Sequence, residues 1–328
     1  MKVIIPMAGY GTRMRPHTYS RPKPLVTVAG QPMIKHLIDS LQTLDIGEYI
    51  FIVGYLGDQL ERYIRETYSF KATFVQQKEL TGQSPAIYLA REHLEGPTVL
   101  LFADTLFEAD LSIINTTDAD AVAFVKEVDD PRRFGVVEVN PQGYVTRFIE
   151  KPSSSDNKQA IIGLYWVRDV AWVLRAIETQ LRQQRQTKGE FYIADAFQIM
   201  VEQGAKFITQ PVRVWLDTGK PETVLETNRY LLEHGFDNSA HMAQPGVTIV
   251  PPVNIHPTAV LRHTVVGPHV TIAADCEIRY SIITNSVVER GASITHAILE
   301  QCLIGERARV EGHPYNLNIG DESTVHFG

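Results

Sequence analysis

Ala8-Gly9-Tyr10-Gly11-Thr12-Arg13 stands directly after the short apolar run Val3-Ile4-Ile5, and its residue types suit the binding of anionic oxygens. Glycines let a chain turn tightly and bring backbone N–H groups against phosphate with no Cβ in the way. The spacing matches neither G-x-G-x-x-G, since residue 14 is Met, nor G-x-x-x-x-G-K-[ST]. The continuation adds charge: Arg13, Arg15, then Arg21-Pro22-Lys23-Pro24. Two prolines hold Lys23 in an extended segment with little freedom, which suits a lysine set against phosphate. Arg15 and Arg21 read equally as surface charges.

Two aspartates end apolar runs: Asp104 in Leu100-Leu101-Phe102-Ala103-Asp104, and Asp217 in Val214-Trp215-Leu216-Asp217-Thr218-Gly219. Open α/β sheets bind ligands at the carboxyl ends of their strands. A hard divalent cation takes oxygen ligands, and Mg²⁺ commonly bridges carboxylates and phosphates. Either aspartate could instead cap the helix that follows, Asp217 especially, ahead of Pro221. Phe148-Ile149-Glu150-Lys151-Pro152 sets a carboxylate beside an ammonium. Successive side chains of a strand point to opposite faces, so both serve one pocket only if the strand ends there, as Pro152 suggests.

The elements that must position these groups alternate as far as about residue 235. Val3–Ile5, Tyr49–Val53, Ala72–Val75, Val99–Phe102 and Ala121–Val125 are uniformly apolar and read as interior strands. Between them, 31–44, 58–67 and 84–95 carry apolar residues at helical spacing, as in Ile34, Leu37, Ile38 and Leu41. The pattern predicts a layered α/β fold, a mainly parallel sheet covered on both faces. Phe134–Val139, Val145–Glu150 and Ile161–Val167 read as an antiparallel appendage, with a mobile polar loop at 153–158. Helical spacing returns at 170–182, 194–203 and 220–235.

After about residue 240 the pattern changes. Val260, Val266, Ile272 and Ile278 recur every six positions, then Ile282, Val288 and Ile294. Looser coils run through Leu303-Ile304-Gly305, Val310 and Leu317-Asn318-Ile319-Gly320. Three hexads per coil predict a parallel β-helix of about four coils with these side chains inside; an irregular all-β domain is the alternative. Gly235, Asn238 and Pro245 mark the boundary, giving domains 1–238 and 239–328.

The run Gly9-Tyr10-Gly11-Thr12-Arg13-Met14-Arg15-Pro16, with Pro22-Lys23-Pro24 after it, resembles the signature of the sugar-phosphate nucleotidyltransferases. That family includes glucose-1-phosphate thymidylyltransferases and mannose-1-phosphate guanylyltransferases, and the resemblance covers essentially all of 1–235. It implies a Rossmann-like first domain and, as in the long members, a left-handed β-helix after it. It implies that a nucleoside triphosphate and a sugar 1-phosphate give a nucleotide-sugar and pyrophosphate, with Mg²⁺ on Asp104 and Asp217. Nucleotide binding would fall to Ala8, Gly9, Gly11, Thr12, Arg13, Lys23, Gln76, Gly82 and Gln83. Sugar phosphate binding would fall to Gly135, Glu150, Lys151, Gly163 and Glu190. Arg13, Lys23, Asp104, Lys151 and Asp217 form the implied catalytic set, and Asp195 reads as a helix cap. The segment Leu80-Thr81-Gly82-Gln83-Ser84-Pro85-Ala86 departs from the frequent Leu-Gly-Thr-Ala pattern; amides there fit a thymine or uracil edge and also a purine edge. Ala103 and Thr105 depart from the usual residues flanking the first aspartate.

The whole chain sets bounds. A formal net charge of -7 over 328 residues disfavours broad nucleic-acid binding. The opening apolar run is too short for a signal peptide and no stretch is long enough for a membrane span, so a cytoplasmic enzyme is expected. Cys276 and Cys302 are too few for a disulfide scaffold and read as buried thiols. Stacked coils leave an end rung to cover, which predicts a homo-oligomer, dimer or tetramer. Three alternatives stand beside thymidylyl or uridylyl transfer to glucose 1-phosphate. One is a mannose-1-phosphate guanylyltransferase. Another is a bifunctional enzyme whose tail transfers an acyl group, using a base among His256, His263, His269, His296, His313 and His326. The third is a non-catalytic regulatory homologue.

Overall fold

The computed structural model describes residues 1–242, 245–313, 319 and 324; Leu317, Asn318, Gly320 and His326 lie outside them. The chain divides into two compact units, Met1–Val26 with Gln31–Thr227, and Thr27–Gly30 with Asn228–Gly328. The division falls inside the helix Pro221–Leu231 rather than at 238/239. Continuous helical spacing hides it, because Asn228 turns its side chain to Thr271 and Ala29 of the second unit.

The first unit is built on a nine-stranded sheet. Lys2–Pro6 lies between Glu48–Val53 and Thr98–Leu101, parallel to both, and Ala72–Gln76 continues the parallel half. Val3, Ile4 and Ile5 are fully buried, which requires cover on both faces of the strand. Ile4, Ile50, Ile52 and Leu100 join Ile177 and Phe197 in one core cluster; the last two come from the helices Val170–Arg182 and Ile193–Glu202. The first of these helices starts where it does because the Asp169 carboxylate accepts from the Ala171 N–H at 3.0 Å, one of the orphan donors of a helix start.

The expected antiparallel appendage is part of this same sheet. Gln159–Val167 pairs antiparallel with Thr98–Leu101, Ala121–Glu127 and Gly135–Val139, and Val145–Glu150 extends the edge. Its nine residues are long enough to serve different neighbours along their length, which short apolar runs do not reveal. A two-stranded ribbon, Thr105–Glu108 with Val214–Asp217, leaves the main sheet and sets Asp217 opposite Thr105. Among the described residues no helix is long and apolar enough to cross a membrane.

Among the described residues of the second unit, three four-stranded parallel sheets stack as a left-handed parallel β-helix of four rungs. Val266, Ile272, Ile278, Val288 and Ile294 point inward, fully buried, but Val260 and Ile282 are each 42% exposed. Leu261 and Ile283 take the inward positions in their place, at 5% and 0%. The cause is coil length: Val253 pairs with Val270 seventeen residues on, and Thr271 with Val287 sixteen on. A strict hexad repeat would need eighteen, so the inward phase slips at a corner in every coil. Corners are turned by left-handed residues, among them His263, His269, Tyr280, Asn285 and His296. His263 and His296 stack on Tyr280, at 5.2 and 5.0 Å between centroids. His269 Nε2 meets Glu233 at 2.8 Å, and His256 Nδ1 meets the Thr258 hydroxyl. Cys276 and Cys302 are free thiols, the first buried and the second, against expectation, only half-buried.

Candidate active site

After the first strand the chain turns through Met7 and Ala8, with the Met7 N–H on the Ile52 carbonyl at 2.8 Å. Gly11 has φ 61° and leads into the short turn Thr12–Met14, pinned by the buried Met14. A Cβ there would stand 3.1 Å from Thr18 Cγ2 and 3.2 Å from Lys23 Cβ. Conformation and space thus both call for glycine. Open space surrounds the Cβ position of Gly9. Pro22 and Pro24 flank Lys23, but the segment is not extended as expected: Lys23 opens a second tight turn, Lys23–Leu25, closed by backbone bonds from the Leu25 and Val26 N–H groups.

A cavity of about 360 Å³ is lined by Met7, Gly9, Tyr10, Gly11, Thr12, Arg13, Lys23, Leu80 and Asp104. A second, also of about 360 Å³, is lined by Arg13, Gln83, Asp104, Gly135, Glu150, Lys151, Gly163, Tyr192, Trp215 and Asp217. Arg13, Phe102 and Asp104 line both. At this junction Lys23 Nζ stands 3.4 Å from Asp104 Oδ2. Burial pushes the Asp104 carboxyl up, but Lys23, and less strongly Arg13, more than offset it and hold it below the ordinary carboxylate value. Neither aspartate caps a helix in the way its sequence context allowed. The Asp104 carbonyl accepts from the Thr218 N–H at 3.1 Å, and Asp217 Oδ1 from the Gly219 N–H at 2.8 Å. A Cβ on Gly219 would stand 3.3 Å from Arg13 Nη2, so the guanidinium lies beside Asp217.

The second cavity forms because the strand Val145–Glu150 stops at Glu150, and Lys151, at φ 47°, turns the chain. Carboxylate and ammonium thereby reach one space. Glu150 faces Gly135 across the ladder, and a Cβ on Gly135 would come within 2.9 Å of Glu150 Oε2. Gly163, at φ 83°, brings its backbone to Phe102 and Thr105. Burial drives the Glu150 carboxyl up to about 7, with Lys151 opposing. The Lys151 ammonium donates to the Tyr192 hydroxyl and lies 4.3 Å from that ring's centroid.

Not every sequence-predicted residue falls where expected. Gln83 lines the second cavity, not the first, and its Oε1 accepts from the Ile193 N–H at 3.2 Å, capping the helix that begins there. Gln76 lines neither cavity; its amide points to the Gly54 carbonyl at 3.5 Å. Ala8 is buried beneath the glycine turn. Gly82 bridges to Phe191, whose backbone a Cβ would meet at 2.7 Å. Glu190 lies outside the lining, beside Tyr192: burial and the hydrogen bond with Glu190 raise that hydroxyl. Asp195 sits in the first turn of its helix rather than at the cap, and holds the Thr187 hydroxyl at 3.1 Å. Sequence reasoning missed Tyr192, Arg133 and Trp215 in the lining. Tyr192 sits in the same Gly189–Ala196 run as Glu190, which is the signal that could have found it.

A glycine turn at the end of the first strand, opening on a cationic junction with two aspartates, defines a phosphate-handling α/β protein. Residues 2–234 match the nucleotidyl transferase family, and the chain belongs to it. The bifunctional protein GlmU of Methanococcus vannielii is 28% identical over 256 residues, 76% of this chain but 59% of that protein's length. A glucose-1-phosphate thymidylyltransferase of Streptomyces griseus is 25% identical over 355 residues, 98% of each chain. A crystal structure of UDP-glucose pyrophosphorylase complexed with UDP-glucose superposes with a TM-score of 0.63 at 19% identity, over 71% of this chain and 98% of that one, and shows the shared fold.

Proposed function

We propose that this protein condenses a nucleoside triphosphate with a sugar 1-phosphate to give a nucleotide-sugar and pyrophosphate. The observation that carries this is the pair of cavities meeting at Arg13 and Asp104. A two-substrate phosphoryl reaction needs two chambers that share one charged junction. The triphosphate lies along the glycine turn, with Arg13 and Lys23 on its phosphates. The sugar occupies the second cavity, its hydroxyls on Glu150 and the backbone at Gly135 and Gly163, its phosphate on Lys151. The sugar-phosphate oxygen attacks the α-phosphorus in line with departing pyrophosphate. A phosphate monoester is already largely ionised near pH 7, so no general base is required. Catalysis rests on placement and charge neutralisation.

Asp104 and Asp217 suit Mg²⁺: both are oxygen donors on the second cavity, and among the described residues no third acidic, histidine or cysteine side chain joins them. Substrate phosphates and water would complete such a shell. When bound, Mg²⁺ supplies charge neutralisation at the α-phosphate. Lys23 meanwhile moves from Asp104 to the phosphates.

Thymidine or uridine triphosphate and glucose 1-phosphate are the favoured substrates. The name of the Streptomyces griseus relative, which matches this chain end to end, supports the first of these. A cytoplasmic setting, where nucleoside triphosphates are made, fits the reaction. Outward Ile282 and Ile298, 42% and 81% exposed on one sheet of the coil, support a homo-oligomer, dimer or tetramer; a monomeric mass by light scattering would remove that part.

The test of the placement separates two lysines. Each replaced by Met keeps much of the aliphatic stem and loses the charge. Lys151→Met raises the KM for sugar 1-phosphate and leaves triphosphate binding by calorimetry nearly intact. Lys23→Met mainly depresses kcat and, to a smaller extent, weakens triphosphate binding. If Lys151→Met abolished triphosphate binding while sugar 1-phosphate still bound, the two substrates would be reversed.

A further inference from the structure

Thr27–Gly30 is a short piece of the amino-terminal chain that belongs to the second compact unit, and a buried carboxylate holds it there. Glu289, 4% exposed, accepts from the Thr27 N–H at 2.7 Å through Oε1 and from the Thr27 hydroxyl at 2.8 Å through Oε2. Two charge-assisted bonds to one residue fix both its backbone and its side chain. Glu289 is itself set in the third rung, next to the buried Val287 and Val288, with its N–H on the Ile304 carbonyl at 2.9 Å.

The rest of the segment is held as tightly. The Ala29 N–H donates to Asn228 Oδ1 at 2.9 Å, and the same oxygen accepts from the Thr271 hydroxyl at 2.7 Å. Val28 and Ala29 are fully buried, and Ala29 and Gly30 take left-handed backbone angles, φ 46° and 82°. A Cβ on Gly30 would stand 2.1 Å from Asn254 Oδ1. Such fixation is more than a surface turn requires. The chain immediately before it is the lysine turn, in which the Val26 N–H closes onto the Lys23 carbonyl at 3.0 Å.

We propose that Glu289 is a positioning residue for Lys23: by gripping Thr27 it fixes the carboxyl end of the turn that presents the lysine to phosphate. The inference rests on the nucleotidyl-transfer reading above. It gives the repeat unit a part in the reaction that requires no chemistry of its own. Glu289 touches no substrate; it acts through the covalent chain.

The full-length protein is compared with Glu289→Ala, Glu289→Gln and Thr27→Val, each alone and with Lys23→Met. Pyrophosphate release and calorimetric binding of thymidine triphosphate are both measured. Misplacing a charged contact costs on the order of 10-fold to 100-fold in rate. Glu289→Ala therefore loses at least ~10-fold in kcat and weakens triphosphate binding, with the KM for sugar 1-phosphate within about 2-fold of wild type. Glu289→Gln still accepts from the Thr27 N–H and stays within about 3-fold, and Thr27→Val falls between the two. Added to Lys23→Met, Glu289→Ala costs nothing further, because the lysine it serves is gone. Losses that multiply in the double variant, or full activity in Glu289→Ala, overturn the proposal. Should Glu289→Ala not fold, Thr27→Val alone and with Lys23→Met decides in the same way. Should wild type release no pyrophosphate, the reaction is wrong. Triphosphate binding then decides the inference alone, and equal affinity in all variants overturns it.

Discussion

Glu150→Gln is the substitution whose effect can be worked from the structure most directly. Burial raises the Glu150 carboxyl from the ordinary 4.5 to about 7, with Asp195 and Glu190 adding to the rise and Lys151 opposing it. A folded-state value above the unfolded one means the folded protein holds the proton more tightly. Stability from this group is then fully present below pH 4.5 and falls as pH rises toward 7, where it levels off. At 1.36 kcal/mol per tenfold change in proton affinity, the ceiling on the loss is ~3 kcal/mol. Solvent at the cavity mouth reduces it. Glutamine is isosteric with the protonated acid and does not ionise. The variant and the wild type should therefore match in stability near pH 4, with the variant ahead by ~1 kcal/mol at pH 5 and by up to ~3 kcal/mol at pH 8. All three tryptophans, Trp166, Trp172 and Trp215, lie in the first unit. Guanidinium unfolding followed by tryptophan fluorescence thus reports on the right unit. Two curves that stay parallel from pH 5 to 8 would refute the burial argument. The same titration should appear in the KM for sugar 1-phosphate of the wild type and be absent from that of Glu150→Gln.

Other outcomes follow from the site and the coil. Asp104→Asn keeps the fold and loses at least ~100-fold in kcat, the scale of removing one electrostatic stabiliser; near-normal turnover at saturating Mg²⁺ would contradict its role. In the repeat unit, Ile278→Ala should cost ~2–5 kcal/mol, since the side chain is fully buried. Val260→Ala, at a position 42% exposed, should change stability by no more than about 0.5 kcal/mol. Denaturant midpoints of the two variants test the corrected inward phase.

The phosphate turn was legible in the sequence because its chemistry is local. Gly11 and Lys23 lie in one short stretch, and the prolines that restrain the lysine are its immediate neighbours. Asp104 and Asp217 were legible as strand ends, but the ribbon that brings them together depends on Thr105 pairing with Asp217, a long-range fact no spacing states. Gln83 went astray for the same reason. Its amide serves the Ile193 N–H, 110 positions away, so a residue that looked available for a nucleobase is spent on a helix start. Tyr192 was overlooked because an aromatic in a mixed run has no period. The hexad pattern gave the coil and its four rungs but not the phase at Val260 and Ile282, since sixteen- and seventeen-residue coils slip against a six-residue count. The grip of Glu289 on Thr27, 262 positions apart, has no signature at all in a single sequence.

The central claim is that the two cavities hold two substrates which react at their junction. Phosphorus NMR of the full-length protein with Mg²⁺, thymidine triphosphate and glucose 1-phosphate tests it most directly. The account predicts that nucleotide-sugar diphosphate and pyrophosphate signals grow together in equal amounts, and only when both substrates are present. Inorganic phosphate released from the triphosphate alone, or no new signal with any pairing of nucleoside triphosphate and sugar 1-phosphate, would contradict it.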